Sequence, residues 1–109
     1  MVNSVLPLLV DEEDIFIFKF WLDNNIQDGM LYRNELFRRL REYDIAQRPQ
    51  VYHLGCKLSQ KALIVLSFTE NKCSLWASLR DPEMQDTLRD IALSPLPELN
   101  FPSTNTPPP

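Results

Sequence analysis

Residues 15 to 22, IFIFKFWL, constrain this chain more than any other stretch. Seven of the eight are apolar and the eighth, Lys19, is the only charge among them. As a strand the segment offers β-branched and aromatic residues, but both of its faces would be apolar and both would need cover. As a helix it has Asp11 as a cap, with Glu12, Glu13 and Asp14 in the first turn beside the positive end of the dipole. The acids favour the helix. In either form the segment is more apolar than one face of a small domain requires. Phe16, Phe18 and Trp21 therefore stand as candidate partner-binding residues, and a homodimer is the simplest arrangement that buries them.

The chain of 109 residues is long enough for one domain with a real core. The Pro-rich stretch SPLPELNFPSTNTPPP at its end holds six of the nine prolines and no basic residue. Proline removes backbone donors and resists regular structure. The expected organisation is a single domain over 1–93 and a disordered tail over 94–109.

Between these regions the hydrophobic period changes. Tyr32, Leu36, Leu40 and Tyr43 recur at helical spacing, which predicts a second helix over 31–44, entered by a turn at Asp28-Gly29 and ended before Pro49. From Val51 the spacing becomes two. VYHLGCKL, KALIVLSF and CSLWASLR read as three strands joined by short polar turns, an antiparallel meander. Setting Leu58 opposite Ala62 and Phe68 opposite Cys73 collects Tyr52, Leu54, Ile64, Leu66, Leu75 and Ala77 on one apolar face. Asp81 and Pro82 then open a short C-terminal helix whose stripe is Met84, Leu88 and Ile91. The expected fold is α+β: two N-terminal helices, a three-stranded meander, a C-terminal helix and the tail.

Little in the sequence suggests catalysis. On a strand, His53 and Cys56 would point to opposite faces, which disfavours a thiol–imidazole pair. On the first and third strands of a meander, Cys56 and Cys73 would be too far apart for a disulfide. No metal-ligand spacing or Gly-rich phosphate loop is present. The reading is a non-enzyme with no catalytic, metal or cofactor residues and no small-molecule substrate.

The second face of the expected sheet would carry His53, Lys57, Lys61, Trp76 and Arg80, a tryptophan among cations that suits a protein partner. The alternative is a nucleic-acid module that stacks bases on this face or uses Arg38 and Arg41 of the second helix with Lys57 and Lys61. A net charge of −4 weighs against a general grip on phosphate backbones or anionic membranes. Two cysteines, no basic start and no long apolar run point to a soluble cytoplasmic protein. The functional expectation is a small adaptor, regulator or assembly subunit acting through protein contacts.

Overall fold

The computed structural model describes residues 6–96, so Pro97 and the remainder of the Pro-rich tail lie outside the described residues. The elements in chain order are β1 (Leu8–Asp11), β2 (Phe16–Leu22), β3 (Asn25–Tyr32), β4 (Glu35–Asp44), α1 (Arg48–Ser59), β5 (Ile64–Phe68), β6 (Lys72–Ser78) and α2 (Gln85–Leu93). The strands form one mixed sheet in the order β1-β5-β6-β4-β3-β2, with β1 parallel to β5 and every other neighbour antiparallel. The fold is α+β, but not with the expected element order.

Three segments change type. Residues 15–22 are not a helix: after a single 3-10 turn over Glu12–Asp14, capped by Asp11, the chain extends into β2. Residues 31–44 are not a helix either. Asp23-Asn24 and Arg33-Asn34 each adopt positive φ at both positions, making two-residue hairpin loops that fold β2, β3 and β4 into a meander. The helical spacing of Leu36, Leu40 and Tyr43 arises from a β-bulge: the register of β4 against β6 shifts between Arg39 and Arg41. One extra residue there puts Leu36, Leu40 and Tyr43 on the same sheet face at intervals of four and three.

Residues 51–58 are the converse. Pro49 starts a helix, and Val51, Leu54, Gly55, Leu58 and Ser59 are its buried stripe. Gly55 faces Leu66 of β5 and Pro7, which a Cβ there would meet at ordinary contact distance, 3.4 Å. The pairing of Leu58 with Ala62 is thereby lost. The expected hairpin over β5 and β6 stands, with Phe68 opposite Cys73 and Ile64 opposite Ala77.

The helices pack on one face, over Leu40, Tyr43, Ile64, Leu66, Cys73, Leu75 and Ala77. The other face has its own core of Val10, Met30, Phe37, Val65 and Trp76. Only residues 12–15 join β1 to β2, which are opposite edges of the sheet. Five Cα steps reach at most about 18 Å, whereas six flat strands would set their outer axes about 24 Å apart. The sheet therefore curls. Its Trp76 face is concave and is crossed by the connection, while the helix face is convex.

This arrangement separates the two tryptophans: Trp76 is 0% exposed, and Trp21, on β2, is still 71% exposed. In dilute solution, a Trp21→Phe variant should keep short-wavelength emission that resists acrylamide. A Trp76→Phe variant should emit at longer wavelength and be readily quenched. Equal quenching of the two would contradict the placement.

Candidate protein-association surface

On the convex side the helices cover β5, β6 and the second half of β4, and the β2–β3 hairpin extends beyond them. Phe16, Phe18 and Phe20 alternate along β2 on this face, so their rings form a row. Ring centroids are 5.8 Å apart for Phe16 and Phe18 and 6.2 Å for Phe18 and Phe20. Gly29 lies beneath the row, where a Cβ would come within 2.9 Å of both Phe18 and Phe20. Phe16 is 69% exposed, and Leu31 and Leu36 beside it are exposed as well.

Three adjoining depressions of 130, 340 and 340 Å³ run alongside, and Leu79 lines all three. The smallest is walled by Phe18, Phe20, Leu36 and Phe37. One of the larger lies between Leu22 at the hairpin tip and Pro82, Gln85 and Asp86 at the start of α2. The other is bordered by Asn34, Glu35 and Arg80. Together they form a groove between hairpin and helix with apolar walls and charged ends. On the concave side of the same hairpin, Trp21 and Ile26 face each other across the strands, both exposed.

The remaining candidates from the sequence are dispersed. Trp76 is buried: its Nε1 donates to Ser67 Oγ at 2.8 Å, and the Arg39 guanidinium stacks 4.6 Å over its ring. Arg39 pairs with Asp28 and, at 3.3 Å, with Glu12, which also accepts from Ser67 at 3.2 Å. This network clasps the connection between β1 and β2 onto the concave face. His53 and Lys57 are exposed on α1, and Lys61 follows in the turn. Arg38 is 2% exposed and donates to the Gln85 carbonyl. Arg41 covers the Tyr43 ring and donates to the carbonyls of Ala92 and Ser94 at the end of α2, where a cation is favoured. Arg80 pairs with Glu35.

Because residues 51–58 are helical, His53 and Cys56 are neighbours on a helix and no longer lie on opposite faces. Cys56 instead meets Tyr52, whose hydroxyl pKa is raised by their hydrogen bond. Cys56 and Cys73 are free thiols, and burial pushes the Cys73 thiol up. A depression of 560 Å³ is lined by Asp11, Glu13, Phe68 and Glu70 among others. Among the described residues, however, no group of three or more His, Cys, Asp or Glu side chains is placed to hold a metal ion. No helix among them is long and apolar enough to cross a membrane.

The sequence reading singled out Phe16, Phe18 and Trp21 but missed Phe20, Leu31, Leu36 and Leu79. Alternation through two Asn-containing loops spaced ten residues apart was the signal that would have found them. No family model, no curated protein and no solved structure matches the chain.

At the charged end of the groove, the Ser78 hydroxyl donates to Glu35 and holds its carboxyl below the ordinary carboxylate range, with Arg80 adding to the effect. A depressed folded-state pKa gives stability that is present above the ordinary value and lost as pH falls through the folded one. Thermal melts of wild type and Glu35→Gln should therefore differ near neutral pH, with wild type higher. The gap should close as pH drops below about 4. A gap that widens on acidification would contradict this assignment.

Proposed function

We propose that this chain is a small non-catalytic adaptor or assembly subunit that associates with other polypeptide through its β2–β3 hairpin. The observation that carries this reading is the row of Phe16, Phe18 and Phe20 with Leu31 and Leu36, which continues the sheet's convex face past both helices and leaves it open. Scattered exposed apolar residues are ordinary, but a contiguous aromatic row bordered by a groove with charged ends has the composition of an interface centre with a polar rim. Aromatic residues of this kind dominate binding where they are packed against a partner.

Nothing in the placement of Arg38, Arg41, Lys57 and Lys61 favours a nucleic-acid surface. They are spread over a strand, a helix and a turn, and the two arginines are engaged with α2. Trp76, buried beneath Arg39, offers no ring face to a base.

A Phe16→Ser, Leu36→Ser double variant tests the reading, because both side chains are exposed and their loss should change stability by no more than about 0.5 kcal/mol per site. Wild type purified from its native cells should elute in a stoichiometric complex, with itself or with a second polypeptide, by light scattering and mass spectrometry. The variant should melt normally and elute alone. Undiminished association in the variant would remove the hairpin from the account, and a solitary wild-type monomer would remove the association reading altogether.

A further inference from the structure

β2 is an edge of the sheet, and no described segment pairs with its outer side. Such an edge is normally blunted by charge, proline or a bulge. Here Phe16–Leu22 pairs without interruption with Leu31–Asn25, contains no proline, and carries one charge, Lys19, which is bridged to Asp28 on the neighbouring strand. The edge is left competent to accept another strand.

The direction of its free backbone groups follows from the hairpin. A two-residue loop with positive φ at Asp23 and Asn24 makes the flanking pair, Leu22 and Asn25, a hydrogen-bonded one. Because hydrogen-bonded and non-hydrogen-bonded pairs alternate, Phe16, Phe18 and Phe20 aim their N–H and C=O groups inward at β3. Ile17, Lys19 and Trp21 aim theirs outward. The same counting through the Arg33-Asn34 loop turns the Leu36 carbonyl away from β3, and it accepts from the Leu79 amide at 3.0 Å.

The convex face of β2 reads Phe-x-Phe-x-Phe, which is the same in both directions. A symmetric two-fold interface requires a surface patch to match itself reversed, and this row does. We propose that the occupant of the β2 edge is the β2 edge of a second copy of this chain, antiparallel, with the two-fold axis through Phe18. The proposal rests on the association reading above and names its partner.

The axis position is decided by charge and by the turn. Centred on Phe18, the pairing sets Phe16 opposite Phe20 of the other copy and the two Phe18 rings opposite each other at a non-hydrogen-bonded site, where side chains approach most closely. On the concave face Lys19 meets Ile17, and the exposed Trp21 meets Ile15, whose backbone is also extended. The outward groups of Ile17, Lys19 and Trp21, with the Ile15 carbonyl, then make about six hydrogen bonds across the seam, the Ile15 amide being held by the Glu12 carbonyl. An axis on Lys19 would place two ammonium groups directly opposite, which is destabilising. An axis on Phe20 would call on Asp23, whose φ of 52° has already left the strand, so only about four bonds would remain.

Three measurements on the full chain test this. Light scattering should give twice the 12.8 kDa chain mass for wild type. Lys19→Pro should give the single mass with an unchanged circular dichroism spectrum, because that amide points outward and an edge strand tolerates its loss. In a Cys56→Ser background, mild oxidation should crosslink Phe18→Cys to itself, with the facing Cα atoms within disulfide range, while Lys19→Cys and Phe20→Cys should crosslink far less.

A wild-type monomer, or a dimer that survives Lys19→Pro with full folding, overturns the proposal. Crosslinking that peaks at Lys19→Cys or Phe20→Cys overturns the Phe18 axis. A wild-type monomer that still forms a Phe16- and Leu36-dependent complex with another polypeptide overturns the second copy as occupant and leaves the association reading standing.

Discussion

The four residues between β1 and β2 are the constraint on which the rest of this structure depends. They connect the two outermost strands of a six-stranded sheet over a path too short for a flat one, so the sheet has to curl. Curling needs something to hold the connection down, and Glu12 supplies it by accepting from Arg39 and Ser67, with Ser67 in turn accepting from the Trp76 indole. The terminal nitrogens of the Arg39 guanidinium pair with Asp28 and Glu12 while it lies on the indole face, so the charge that shares this site with a large aromatic is paired, although its Nε is buried without a partner.

The same curl explains why the candidate site is open. Bending the β2–β3 hairpin toward β1 on the concave side tilts it away from the helices on the convex side. α1 and α2 are anchored over β4, β5 and β6 by Val51, Leu54, Leu58, Leu88 and Ala92, and the Arg38 and Tyr43 side chains tie α2 to β4. Neither helix reaches the phenylalanine row, and the groove along Leu79 is the space left between them. An open apolar surface thus arises from a sheet too wide for its helical cover.

Parts of this were legible in the chain. The hairpin over β5 and β6 followed from alternation alone, because Ile64, Leu66, Cys73, Leu75 and Ala77 must share a buried face and any slip would expose them. Pro82 marked the approach to α2 correctly, although the chain makes a 3-10 turn before the helix begins at Gln85. The errors have local causes. The β4 bulge mimics a helical period, Pro49 starts a helix as well as closing the segment before it, and the acids at residues 11–14 need just one 3-10 turn. Part of the candidate site was legible for a simpler reason: Phe16, Phe18 and Trp21 belong to a stretch too apolar to hide.

By itself, then, the sequence determined that residues 15–22 would exceed the burial capacity of one small domain, that β5 and β6 would pair in one register, and that a helix would follow Pro82. These are properties of composition, alternation and proline chemistry, all read within a few residues. Long-range packing set which strands became neighbours, which tryptophan was buried and which side of the hairpin was left open. Those outcomes depend on joining β1 to β2 across the whole sheet, and the cost of a flat sheet with so short a connection appears in no local window of the chain.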